Sequence, residues 1–166
     1  MKILVAIDGS ECSAKAVDFI LGRPWLKEDQ FLVVSVVEPI PAEFGLGHLP
    51  EGVGTIEDQL FEECTKVTSE AGLKLQEKLP DNKVEAKVLT GAVADQICHC
   101  ANDWYADQVI LGSHGRKGFQ HFLLGSVAEE VMKKAACTVQ VVKARETVKQ
   151  EEPARAGAAN AQPCAG

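Results

Sequence analysis

The sequence predicts a single doubly wound α/β domain: a five-stranded parallel sheet with helices on both faces. Three observations predict it. Strand-like and helix-like stretches alternate along most of the chain, the pattern that right-handed crossovers leave when they feed a parallel sheet. Two of the strand-like stretches, residues 3–7 and 31–37, are nearly unbroken apolar runs, as strands covered on both faces are. The length of 166 residues suits one domain whose core buries most of its apolar surface.

Each element has its own signal. Residues 2–7 are apolar and rich in β-branched side chains, a first strand. A helix follows over 10–22, with Ala14, Val17 and Leu21 on its expected inner face and Gly22 as its stop. The second strand is 31–37. A long helix over 55–79 carries Leu60, Cys64, Val67, Ala71 and Leu75 at steps of four, three, four and four. Val84, Ala86 and Val88 alternate within 83–89, the mark of a half-buried or edge strand. Val93, Ile97, Ala101 and Trp104 define a third helix. A fourth strand at 108–111, a fourth helix at 126–135 and a fifth strand at 138–142 complete the series.

Two stretches stand outside the alternation. Residues 39–54 hold three prolines and four glycines, and a connection of that length is expected to be functional or disordered. Its Phe44, Leu46 and Leu49 are expected to pack on the second helix. Residues 143–166 have few large apolar side chains and are expected to form a disordered tail behind a domain spanning 1–142.

The composition narrows the function. Hydrophobic residues make up 46% and charged residues 25%, as in soluble globular chains. The net charge of −7 argues against nucleic acid, whose phosphates need a basic face. A single nucleotide is still compatible, since backbone amides and one or two cations can hold it. No signal-peptide core or membrane-length apolar run is present. The six scattered cysteines are read as reduced thiols. The expectation is a cytoplasmic protein with no membrane partner.

The strongest motif is Gly112-Ser113-His114-Gly115, nine further residues, then Gly125-Ser126. It starts where the fourth strand ends and closes where the fourth helix begins. Gly112 is expected to leave the strand with no side chain in a ligand's way. Gly115 permits a positive φ and close backbone approach. Gly125 and Ser126 open a helix whose unpaired N–H groups form an anion site, with the Ser126 hydroxyl as an added donor. His114, Arg116, Lys117 and His121 bring four potential cations to this one loop.

Those residues resemble the universal stress proteins of the ATP-binding kind. The likeness runs from Met1 to about Val142. It includes Asp8-Gly9-Ser10 after the first strand, Val36-Val37-Glu38-Pro39 after the second, Gly91 before the third helix, and the full glycine pattern. The fold the resemblance implies has strand order 3-2-1-4-5. It implies that Ala6, Asp8 and Val36 line an adenine and ribose pocket with Leu111 beside the base. It implies that Gly112, Gly115, Gly125, Ser126 and Val127 hold ribose and phosphates, with Arg116 counted among the nucleotide-binding residues. ATP with Mg²⁺ or Mn²⁺ is the implied ligand. A homodimer through 138–142 and a stress-response role are implied as well.

Other chemistries fit less well. Asp8 ends a strand and can serve a ribose hydroxyl or a divalent cation; its bland alternative is a charge favouring the first helix. Cys98-His99-Cys100 lies within a helix, where residues at i and i+2 point apart, so it reads as ordinary thiols rather than as a zinc site. Cys12 falls near the expected phosphate site, where it could be redox-sensitive. No G-x-S-x-G elbow and no Walker sequence is present, and Asp8-Gly9-Ser10-Glu11 departs from the loop of adenylating enzymes. No catalytic residue is assigned. The readings carried forward are a nucleotide-dependent regulatory module, a slow ATPase with His114 or His121 as its base, and a dimerisation module without nucleotide.

Overall fold

The computed structural model of the chain describes residues 1–39, 56–115 and 124–143. The loop assigned to 39–54 (beyond Pro39), Arg116, Lys117, His121 and nearly all of the tail lie outside the described residues. The elements are β1 (Lys2–Ala6), α1 (Glu11–Leu21), β2 (Gln30–Val37), α2 (Ile56–Lys78), β3 (Lys83–Thr90), α3 (Val93–Asp103), β4 (Gln108–Gly112), α4 (Ser126–Lys134) and β5 (Thr138–Val142). All the strand pairings are parallel, in the order β3-β2-β1-β4-β5. The expected fold and strand order are both observed.

Pleating sends alternate side chains to opposite faces, and the sheet buries both. Leu4, Ala6, Leu32, Val34, Val109 and Leu111 pack with Ala94, Ile97 and Ala101 of α3 and Ala128 and Val131 of α4. Ile3, Val5, Ile7, Phe31, Val33 and Ile110 pack with Ala16, Val17 and Ile20 of α1 and Leu75 of α2. The central strand β1 pairs with β2 on one side and β4 on the other. From β1 the chain winds one way through β2 and β3, then returns to wind the other way through β4 and β5. The crevice that ligands use in such sheets therefore opens at the carboxyl ends of β1 and β4.

The α1 face departs from expectation. Its buried residues are Ser13, Ala16, Val17 and Ile20, while Ala14 is exposed. Ser13 tolerates burial because its hydroxyl donates to the Ser10 carbonyl at 2.9 Å. On α2 the expected face is the inner one, with Cys64 and Leu75 fully buried and Thr68 and Gly72 beside them. On the edge strand β3, Ala86 is exposed, not half-buried. Among the described residues, no helix is long and apolar enough to cross a membrane.

Helix α3 ends with an unusual residue. The Ala106 N–H donates to the Ala101 carbonyl at 2.8 Å, and the Tyr105 N–H to that of Asn102 at 3.0 Å. This double turn places Tyr105 at φ 56°, a left-handed position where glycine is preferred. The tyrosine side chain is 81% exposed and contributes little packing. Tyr105→Gly is therefore expected to stabilise the chain by about 1 kcal/mol, seen as a higher midpoint in urea unfolding at unchanged slope.

Candidate functional site

The site grows from the ends of β1 and β4. After β1 the chain turns through Asp8, Gly9 and Ser10. Gly9 stands at φ +80°, which favours a residue without Cβ. One Asp8 oxygen, Oδ1, accepts the Ser10 N–H at 3.0 Å. The Ser10 side chain caps α1 and also lies 3.4 Å from the His114 carbonyl, so the turn after β1 touches the loop after β4. The N-terminus of α1 is thus occupied by its own serine.

The opposite holds at α4. Its N-cap is Gly125, which offers no side-chain cap. The first intrahelical bond runs from the Glu129 N–H to the Gly125 carbonyl at 3.0 Å. The amides of Ser126, Val127 and Ala128 precede it, and Ser126 is exposed. Such a helix start favours an anion through its amides and its dipole. Among the described residues, Ser10 caps α1 and no side chain caps α4.

The glycines have identifiable reasons. A Cβ on Gly115 would stand 2.8 Å from Asp8 Oδ2, so the loop backbone lies directly against the Asp8 carboxylate. Gly115 does not use the positive φ that glycine permits; Gly9 and Gly91 are the described glycines that do. Close approach, rather than backbone handedness, is what requires glycine there. A Cβ on Gly112 would lie 2.7 Å from the Cys12 carbonyl carbon. The expectation that Gly112 clears space for a ligand is corrected: that space is filled by the backbone of α1. Gly112→Ala is expected to cost about 1–3 kcal/mol by overpacking a backbone that cannot swing aside, read as a lower melting temperature. A Cβ on Gly125 would meet the Ser113 carbonyl at 3.1 Å.

Ser113 escaped the sequence reading as a site residue. It is 2% exposed. Its N–H donates to the Val142 carbonyl at 2.8 Å, and its carbonyl accepts the Gly125 N–H at 2.8 Å. Its hydroxyl lies 3.1 Å from His114 Nδ1. Burial and three connections made by one small residue leave no sequence signal beyond its place between glycines.

The apolar residues assigned to the base come together on the α3/α4 face of the sheet. Ala6 and Leu111 are buried there, and Val36 and Val127 pack on the same cluster half-buried. Leu89, Val93 and Leu124 share this fringe and were not expected. Leu89 is the register partner of Val36 across β2 and β3, so strand pairing, which a sequence does not display, was the missing signal. Arg116 lies outside the described residues.

The cysteines sit elsewhere. Burial pushes the thiols of Cys98, Cys100 and Cys137 above their ordinary values. Cys98 senses Lys134 on α4, whereas Cys100 senses Lys87 on β3, so the two face different neighbours. Among the described residues no group of three His, Cys, Asp or Glu side chains is placed to hold a metal ion. Cys12 is half-buried at the second position of α1, with its backbone against Gly112.

Comparison with known proteins gives consistent relationships. The model of the universal stress protein family matches residues 1–143. Universal stress protein MJ0531 of Methanocaldococcus jannaschii is 31% identical over 145 residues, covering 86% of this chain and 81% of its own length. The solved structure of MJ0577 from the same organism superposes with a TM-score of 0.69 at 28% identity, over 88% of this chain and 97% of that one. Two more distant structures share the fold. A universal stress protein in complex with cAMP has a TM-score of 0.60 at 20% identity, covering 86% of this chain and 96% of that one. An Arabidopsis thaliana family member with AMP bound has a TM-score of 0.59 at 19% identity, covering 93% and 99%.

Proposed function

The chain belongs to the universal stress protein family, and on that premise we propose that it binds an adenine nucleotide at the carboxyl ends of β1 and β4. The ligand we assign is ATP with Mg²⁺ or Mn²⁺. The observation that carries the reading is a convergence. The open amides of α4, the Gly115 backbone and the Asp8 carboxylate meet at the crevice, beside an apolar fringe that includes Val36 and Val127. Phosphates go to the amides of Ser126 and Val127, the base to the fringe with Ala6 and Leu111, and Asp8 to a ribose hydroxyl or the phosphate-bound cation. Gly115 and Gly125 bring backbone close to the ligand, and Arg116 adds a cation. The same fold carries AMP and cyclic AMP in two other proteins.

The protein acts, on this reading, as a nucleotide-responsive regulatory module in the cytoplasm, where the nucleotide pool it would sense is found. A turnover enzyme needs a base at the γ-phosphate. His114 has its Nδ1 engaged by Ser113, and His121 lies outside the described residues.

We assign a homodimer through β5. Among the described residues, β3 and β5 are the edge strands of the sheet. Edge β3 alternates Lys83, Glu85 and Lys87, charges that discourage pairing. Edge β5 reads Thr-Val-Gln-Val-Val, uncharged and mostly β-branched. The test of the nucleotide reading is calorimetric titration of nucleotide-stripped protein with ATP and Mg²⁺, with AMP and cyclic AMP in parallel. Micromolar binding of ATP is expected. No heat and no thermal stabilisation by any of the three would reduce the glycine loop to a turn and leave a dimerisation module.

A further inference from the structure

Ser113 joins three elements through described hydrogen bonds. Its carbonyl holds the N-cap of α4 through the Gly125 N–H, and its own N–H holds the last residue of β5 through the Val142 carbonyl, each at 2.8 Å. It is buried at 2% exposure, so these bonds are shielded from water. Ligand site and sheet edge are therefore two hydrogen bonds apart.

The backbone of β5 fixes what lies beyond. The Thr138 N–H donates to the Asp107 carbonyl, and the Val142 carbonyl accepts from Ser113, so Thr138, Gln140 and Val142 turn their backbone groups toward β4. By the alternation of the pleat, Val139 and Val141 turn theirs to the open edge. The Val141 C=O shares a peptide plane with the Val142 N–H, so seating Val142 on β4 turns that carbonyl to the edge. The end of an edge strand is where a ladder opens most readily. Its seating is an equilibrium that a neighbouring site can bias.

We propose that nucleotide occupancy and edge pairing of β5 are coupled through Ser113, which acts as a positioning residue between them. The coupling rests on the nucleotide and dimer readings above. An anion on the Ser126 and Val127 amides fixes Gly125; Gly125 fixes Ser113; Ser113 seats Val142 and presents Val141 to a second copy of this chain. Linkage makes the effect reciprocal: each site of the dimer binds the nucleotide more tightly than the monomer does, and with both sites filled the dimer constant rises by the square of that factor.

The test is sedimentation equilibrium of the full chain over a range of concentrations, with and without saturating ATP and Mg²⁺. Alongside it, ATP is titrated calorimetrically at protein concentrations below and above the dimer midpoint. ATP is expected to tighten the dimer by about fivefold or more, and the square of the per-site gain in ATP affinity is expected to equal that factor. Without coupling between site and edge, both constants stay unmoved. ATP binding with an unchanged dimer constant overturns the coupling and leaves the nucleotide reading intact. No ATP binding removes that reading and the coupling with it. A monomer at every concentration overturns the coupling through the edge.

Discussion

Gly115→Ala is expected to weaken ATP binding by about tenfold to a hundredfold while the chain melts close to the native temperature. The variant places a methyl carbon 2.8 Å from Asp8 Oδ2, so the carboxylate must move. A hydrogen bond to a charged group is worth about 1.5–3 kcal/mol, which converts to the stated range of affinity. The fold is spared because Gly115 is exposed and the atom it would strike is the far end of a side chain. Gly125→Val is the less clean variant, since its Cβ meets the Ser113 carbonyl at 3.1 Å and disturbs backbone. Asp8→Asn separates the two roles left to Asp8. If the carboxylate serves the cation, the variant loses the dependence of ATP affinity on Mg²⁺; if it serves the ribose, affinity falls equally with and without Mg²⁺. Calorimetry checks both variants. Native affinity in Gly115→Ala would remove Asp8 and Gly115 from the site.

Much of this architecture was legible because parallel sheets write a strong signal. The runs 3–7 and 31–37 had to be covered on both faces, and the long period of Cys64 to Leu75 could only be a helix lying on them. What escaped depends on partners far away in the chain. The inner face of α1 includes Ser13, a polar residue that apolar spacing does not mark and whose hydroxyl is paired with the Ser10 carbonyl. Gly112 was read as room for a ligand because nothing local says that the Cys12 backbone fills that room. Ser113 was passed over between two glycines. Its importance comes from Val142 and Gly125, 29 and 12 residues on, counted as 142 − 113 and 125 − 113. Leu89 joined the base fringe through its register with Val36. The motif thus gave the place of the candidate site, which rests on the nucleotide reading, and the strand order gave the sheet around it.

Val141→Pro is expected to leave a folded chain that no longer dimerises at concentrations where the native chain does. The argument is directional. Proline removes one N–H and fixes φ near −65°, and on an edge strand it is tolerated where the lost N–H faces outward. Val142 and Thr138 bond toward β4, so Val141 faces the free side and its loss spares the β4–β5 ladder. Val139→Pro is the equivalent change one pleat away, and it guards against a local packing cost at Val141, which sits half-buried on the α3/α4 core. Hydrogen exchange on the native chain gives an independent check. In a monomer the Val139 and Val141 amides meet water and exchange quickly, whereas Gln140, turned toward β4, is protected. A dimer paired through β5 protects all three, and protection at Val139 and Val141 then rises with protein concentration. Fast exchange at both positions at every concentration, with the proline variants sedimenting like the native chain, would place any dimer contact away from β5. The charged edge β3 would not be its replacement, because its alternating Lys and Glu side chains oppose pairing in register with a second copy unless opposite charges meet.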